Sequence, residues 1–176
     1  MANSLKATLN VTLGFVPLML LWSISSKMGL ILGLLSILIL FIRNMINKNV
    51  GIMSYVLLFY FVISNILYFY FNIDFVLENK NLISYILLSL MGFASIMLKK
   101  PYTMYEARSG YEEEFGKSPL FIEVNILITK IWAIIYLVNF FLELTGHNIN
   151  TVIIANILVI LGITASIMIP TAFPEV

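Results

Sequence analysis

The side chains with the clearest chemical potential in this 176-residue sequence follow one another at steps of three and four. They comprise two amides, a threonine hydroxyl, two aromatic rings that carry a polar atom, and a carboxylate: Asn125, Thr129, Trp132, Tyr136, Asn139 and Glu143. On a helix with 3.6 residues per turn this spacing places all six on one face. Such a face lines a wet cavity for a polar head group or small solute, or it forms hydrogen bonds to neighbouring helices. The sequence leaves both interpretations open.

Two ionisable residues, Glu123 and Lys130, lie on nearly the opposite face of the same helix. Lys130 is about 15 Å beyond Leu120 at the rise of a helix. A charge inside an apolar segment is costly and indicates function unless it reaches the interface. Lys130 is therefore expected to need an anionic partner or a water-filled crevice. Pairing with Glu123 or a lipid phosphate and a role in transport or proton relay are both compatible with this position.

The chain is also polar and charged between residues 99 and 119. Its basic residues Lys99, Lys100 and Arg108 suit anionic lipid head groups, whereas the acidic triplet 112–114 would be repelled by them and suits a protein partner. We expect these three basic residues to contact lipid or a partner. Pro101 can open a short amphipathic segment, with Tyr102 and neighbouring apolar side chains in the interface.

The sequence lacks the residues that most kinds of catalytic site require. The sequence has no cysteine and one histidine, His147, so thiolate sites, bis-histidine haem and histidine-rich zinc sites have too few ligands. No glycine-rich phosphate loop or H-E-x-x-H sequence occurs. A net charge of +1 without a basic patch does not favour nucleic-acid binding. We expect a non-enzymatic protein with no catalytic residues, no metal, no cofactor and no nucleic-acid partner.

The elements that carry these residues are long apolar runs. Hydrophobic residues make up 61% of the chain and charged residues 11%, against roughly 45–50% and 25% in soluble domains. A crossing helix needs about 20 apolar residues, and continuous apolarity without alternation favours helices over barrel strands. The sequence therefore predicts an all-α polytopic membrane helix bundle of about six transmembrane helices with short loops. The runs are 8–24, 28–43, 51–72, 81–98, 120–143 and 151–170, within one domain, 1–176, whose longer connection is 99–119.

The lysines and arginines at the ends of these runs predict the orientation, because cytoplasmic loops retain basic residues. With six spans and a cytoplasmic N-terminus, only Lys27 and Lys80 fall outside. The cytoplasmic side then receives the larger set: Lys6, Arg43, Lys48, Lys99, Lys100, Arg108 and Lys117. We therefore predict a multi-pass cell-membrane protein with both termini in the cytoplasm.

Three features carry a family resemblance: Lys99-Lys100-Pro101 after a span, a polar loop that ends near Pro119, and a following helix with Asn125 and Asn139 around Trp132-Ala133. On these features the chain resembles the bacterial intracellular septation protein A family of small polytopic inner-membrane proteins. The resemblance implies a non-enzymatic role in maintaining the cell envelope and supporting division, through lateral contacts with other membrane proteins. It carries over no catalytic residue, and Lys130 departs from the family pattern.

Three functions remain open at this point. The first is a membrane interaction protein or scaffold in envelope biogenesis. The second is a small transporter, channel or lipid-handling protein that uses the polar face of the fifth run. The third is an accessory subunit of a larger membrane complex. The expected partners are membrane lipids together with other membrane proteins or further copies of this chain.

Overall fold

The computed structural model describes residues 9, 11–24, 27–108, 114–146 and 148–173. Within these ranges no strand occurs, and the regular elements are α-helices and one short 3-10 helix, Phe115–Lys117. Five of the described helices are long and apolar enough to cross a membrane: α2, α3, α5, α7 and α8. The predicted all-α membrane helix bundle is thereby confirmed. The helices are α1 (Val16–Ser23), α2 (Lys27–Ile46), α3 (Ile52–Phe69), α4 (Phe75–Glu78), α5 (Lys80–Met97), α6 (Tyr102–Arg108), α7 (Pro119–Leu144) and α8 (Ile149–Thr171).

The first apolar run, 8–24, differs from the other five. Residues 9 and 11–14 are helical, and after Phe15 the run continues as α1, which has eight residues, fewer than the roughly 20 that a crossing helix needs. Pro17 stands in the first turn of α1, and its missing N–H cannot donate to the helical turn before it. Residues 1–8 and 10, including Lys6, lie outside the described residues, so a crossing by this run stays a prediction.

Three long helices end in the same way. Lys48, Asn72 and Lys99 follow α2, α3 and α5 and have positive φ angles of 52°, 54° and 54°. The next N–H after Lys48 and after Lys99 donates to a carbonyl five residues back, as Lys100 does to Ser95 at 2.9 Å, and the N–H after Asn72 donates to a carbonyl six residues back. This left-handed closure satisfies carbonyls that a helix end leaves without partners. The polar residue in the left-handed conformation therefore marks the end of each of these three apolar helices.

The starts of α7 and α8 follow from their capping residues. Ser118 accepts a hydrogen bond from the backbone N–H of Phe121 at 3.1 Å, and Pro119 occupies the first helical position. Asn148 accepts from the N–H of Thr151 at 3.1 Å, while the Thr151 hydroxyl accepts from the N–H of Asn148 at 3.0 Å. This reciprocal capping box fixes the start of α8.

The residue contacts group the chain into two compact units whose boundary falls within α5. In the N-terminal unit, Thr12–Ser84, α2 packs against both α1 and α3. Gly33 of α2 lies directly under the ring of Phe61 of α3, where an added methyl group would overlap the ring. Asn65 of α3 donates to the carbonyl of Leu30 at 3.2 Å. A close apolar contact and a hydrogen bond therefore join the same two helices.

The C-terminal unit comprises Tyr85–Val176 together with Met1–Val11. Within it, α7 contacts the short helix α6, the 3-10 turn and α8. The segment 102–108 differs from the predicted interfacial segment, because α6 buries Tyr102 and Met104. Met104 joins Ala107 and Phe121 in one apolar cluster. Burial against α7 satisfies these side chains better than a wet interface does, so α6 is part of the protein core.

Candidate functional site

The polar stripe predicted in the fifth run lies on α7 and is buried. The exposed fractions are 3% for Asn125, 0% for Thr129, 9% for Trp132, 4% for Tyr136 and 1% for Asn139. Glu143, in the last turn of α7, is half-buried. We call these six residues the inner face of α7. At 1.5 Å per residue this face is about 27 Å long, close to the thickness of the hydrocarbon core.

One end of the inner face is tied to α6 through Thr103. The Thr103 hydroxyl donates to Oδ1 of Asn125 at 3.0 Å and lies 2.9 Å from the hydroxyl of Thr129. The amide nitrogen of Asn125 donates to the carbonyl of Phe121 at 2.8 Å. All three polar side chains are buried and hydrogen-bonded. This end of the inner face therefore holds α6 against α7.

Tyr102 lies next to this network and is fully buried. Its backbone N–H donates to the hydroxyl of Ser95 at 3.3 Å, and its phenol interacts electrostatically with that of Tyr136. Burial raises the pKa of Tyr102 above its ordinary value. The phenol is therefore neutral at physiological pH.

The middle of the inner face is joined to α8 and α5. The indole N–H of Trp132 donates to the hydroxyl of Ser166 of α8 at 2.9 Å, and the Trp132 ring stacks on Tyr136 with 5.5 Å between ring centres. The hydroxyl of Ser89 of α5 donates to the carbonyl of Ala133 at 3.1 Å. These contacts use polar groups to fix helix packing, as is usual for polar residues in spanning helices.

Asn139 is the exception on the inner face. Its side chain is buried, and neither Oδ1 nor Nδ2 has a hydrogen-bond partner within the described part of the chain. Tyr136 and Glu143 lie one turn away on either side. Tyr85 of α5 interacts electrostatically with both of them. An amide with two unsatisfied atoms thus stands between a phenol and a carboxylate.

The opposite side of α7 carries the predicted intramembrane charges. We call the following six residues, all exposed, the outer face of α7: Glu123, Leu127, Lys130, Ile134, Val138 and Phe141. Lys130 is the eleventh residue after Pro119 and the fourteenth before Leu144, near the middle of the span. Among the described residues neither Lys130 nor Glu123 has an ion-pair partner. The structure therefore presents an exposed lysine whose nearest neighbours on the outer face, Leu127 and Ile134, are apolar.

The three basic residues of the connection have different environments. Lys99 and Lys100 are exposed. Arg108 is half-buried and donates from Nε to the carbonyl of Gly116 at 3.1 Å, with its guanidinium carbon 5.6 Å from the ring centre of Tyr105. Arg108 thus links α6 to the 3-10 turn, whereas both lysines leave their ammonium groups at the surface. The loop residues 109–113 and His147 lie outside the described residues.

The polar partners that lie outside the stripe are not predicted by the sequence pattern. This pattern gives Thr103 and Ser95 no role and predicts that Lys80 lies in an external loop. Lys80 is buried, and its ammonium donates to the carbonyls of Leu21 at 2.9 Å and Trp22 at 3.4 Å, at the end of α1. A cation at the carboxyl end of a helix is favourable.

No protein-family model, curated protein or solved structure matches this chain. No cluster of three or more histidine, cysteine, aspartate or glutamate side chains lies within the described ranges. The resemblance to the septation family stays a prediction, and the function is inferred from the chain's own residues and contacts.

Proposed function

We propose that this chain is a non-enzymatic interaction protein of the bacterial inner membrane, which supports septation and the cell envelope through lateral contacts with other membrane proteins. Two features of α7 support this proposal. Asn125, Thr129 and Trp132 of the inner face hydrogen-bond within the chain and hold the helices together. The outer face carries an exposed lysine that forms no ion pair with any described residue.

Lys130 is the single observation that carries the proposal. It lies about 16 Å from the start of α7, and its side chain points toward that end, since helical side chains tilt toward the N-terminus. A lysine stem can bring its ammonium toward the interface, but from mid-span it still leaves the charge within hydrocarbon. A charge there costs several kcal/mol. A carboxylate at the same depth on a neighbouring helix removes this cost.

The charge also indicates which kind of neighbour fits. Two copies of this chain inserted in the same orientation would bring one Lys130 opposite the other, and like charges repel strongly at low dielectric. The outer face therefore suits a different protein, whose transmembrane helix supplies an aspartate or glutamate. Leu127 and Ile134, one turn above and below Lys130, are about 40% exposed or more and supply the apolar contact around the ion pair.

The proposal is tested by photo-crosslinking in living cells. A photoreactive amino acid at Ile134 of the full-length chain is expected to trap a discrete membrane-protein adduct, which K130M removes. The K27M variant is the matched control, because Lys27 is exposed at the start of α2. An adduct of unchanged yield in K130M, or adducts formed only with other copies of this chain, would contradict the proposal.

A second function has one observation in its favour. The unsatisfied amide of Asn139 supports binding of a small solute or lipid head group by the inner face, as in a lipid-handling protein or transporter. Binding at Asn139 and lateral contact at Lys130 lie on opposite sides of α7, so each can be abolished without the other.

A further inference from the structure

The side chain of Asn139 is buried without a hydrogen-bond partner in the described chain, which is energetically unfavourable. A buried amide loses its hydrogen bonds to water, and each unsatisfied group costs roughly 1–3 kcal/mol. Unsatisfied groups in native structures call for an explanation, such as an ion, a water or a ligand. Asn125, Thr129 and Trp132 on the same face hydrogen-bond within the chain, so poor packing of the whole face does not account for Asn139.

The groups around Asn139 define what it can bind. Glu143 follows it by one helical turn and contributes a carboxylate, while Tyr136 precedes it by about one turn and contributes a phenol ring. Tyr85 of α5 completes this set, since it interacts with both residues. Oxygen acceptors and a negative charge outnumber donors in this set. Aromatic rings beside a carboxylate are also favourable to cations.

The direction of access follows from the position of Glu143. It is half-buried in the last turn of α7, so it meets water at the helix end. Asn139 lies about 6 Å deeper along the helix. The opposite end of the inner face is closed by the buried Phe121 and Met104. Of the two ends of the inner face, the Glu143 end is therefore the one from which Asn139 can be approached.

We propose that Asn139, Glu143, Tyr136 and Tyr85 form a binding site for an ammonium group, carried by a small primary amine or by a lipid head group. Oδ1 of Asn139 accepts an N–H of the ammonium, and the Glu143 carboxylate compensates its charge. Nδ2 of Asn139 donates to an oxygen on the same ligand, such as the oxygen of an ethanolamine. This proposal rests on the second proposed function and specifies the class of ligand that the inner face binds. It does not depend on the partner proposed for Lys130.

The first test examines Asn139 without any ligand. Because its amide has no partner in the described chain, N139L is expected to leave the melting temperature of the purified full-length protein unchanged or raised. The control is N156L, since Asn156 is exposed and donates only to the carbonyl of Val152 in its own helix. A melting temperature that falls far below that of N156L would show that Asn139 bonds within the protein, and would overturn the proposal.

The second test measures binding with ethanolamine as the probe. Calorimetric titration of the protein in lipid-free detergent is expected to show saturable binding that N139L abolishes and that E143Q weakens about tenfold, equivalent to 1.4 kcal/mol. Ethylene glycol, which has no ammonium group, should not bind. Equal ethanolamine binding by N139L and the unaltered protein would overturn the proposal.

A third measurement identifies the source of the ammonium group. In nanodiscs of phosphatidylglycerol with or without phosphatidylethanolamine, native mass spectrometry shows whether the latter lipid is retained and whether N139L releases it. Retention assigns the site to a lipid head group, and ethanolamine binding without lipid retention assigns it to a free amine. The absence of both overturns the proposal while leaving the lateral contact of Lys130 untouched.

Discussion

Trp132 and Ser166 join α7 to α8 through one hydrogen bond, in which the indole nitrogen donates to the serine hydroxyl at 2.9 Å. Ser166 in turn donates to the carbonyl of Gly162 at 2.9 Å. Gly162 lies under the Trp132 ring, where an added methyl group would meet it at about 3.1 Å. Because little of α8 is buried in the protein, this cluster is a principal anchor of α8.

S166A removes the acceptor for the Trp132 indole. It is expected to lower the free energy of unfolding by about 1 kcal/mol, since interhelical hydrogen bonds in membrane proteins have modest values. Unfolding in mixed micelles, followed by helical circular dichroism, measures the change. T164A is the control, because Thr164 donates only within α8. Equal stabilities of the two variants would show that the Trp132 bond adds nothing to α8.

K80M removes the ammonium that donates to the carbonyls of Leu21 and Trp22. The end of α1 then loses hydrogen bonds from a charged donor, and the free energy of unfolding is expected to fall by about 1.5–3 kcal/mol. The same unfolding assay measures this change, with K27M as the control at an exposed lysine. If K80M and K27M have the same small effect, Lys80 does not anchor α1.

G33A places a methyl group where the ring of Phe61 lies. Overpacking of this kind typically costs about 1–3 kcal/mol, so α2 and α3 should separate or shift, and unfolding should occur at lower denaturant. A second substitution, F61L, should recover part of the loss in the double variant. G14A is the control, because its methyl group meets only the flexible end of Met53. Additive effects of G33A and F61L would contradict the contact.

The orientation of α7 is tested by labelling single cysteines, which the cysteine-free chain makes unambiguous. A cysteine at Lys100 should react with a membrane-impermeant maleimide only after the cells are opened, because basic loops stay in the cytoplasm. A cysteine at Asn148, in the hairpin before α8, should react in intact cells. The reverse pattern would invert the predicted topology.

The helices were predictable because membrane insertion imposes a strong local rule. A run of apolar residues must satisfy its backbone internally, so the predicted run 120–143 corresponds to Pro119–Leu144, with Ser118 and Pro119 marking its start. The stripe from Asn125 to Glu143 was visible for the same reason, since helical spacing alone places these residues on one face.

The partners of these residues were not predictable from local pattern. Thr103 meets Asn125 and Lys80 meets Leu21 through tertiary contacts between distant segments, and no spacing rule connects them. The amphipathic ring of Tyr102 predicts that α6 lies in the membrane interface, but packing against α7 buries Tyr102 in the protein. The sequence does not distinguish the unsatisfied amide of Asn139 from the satisfied amide of Asn125, because both residues lie on the same stripe of α7.

The most direct measurement of the role of Lys130 is its association with a transmembrane helix of known composition. The labelled full-length protein is reconstituted in liposomes with a synthetic leucine-alanine helix that carries one central glutamate, and energy transfer between them is measured. The glutamate helix should associate several-fold more strongly than a matched glutamine helix, and K130M should remove this preference. Equal energy transfer with both helices, or a preference that persists in K130M, would contradict a lateral contact through Lys130.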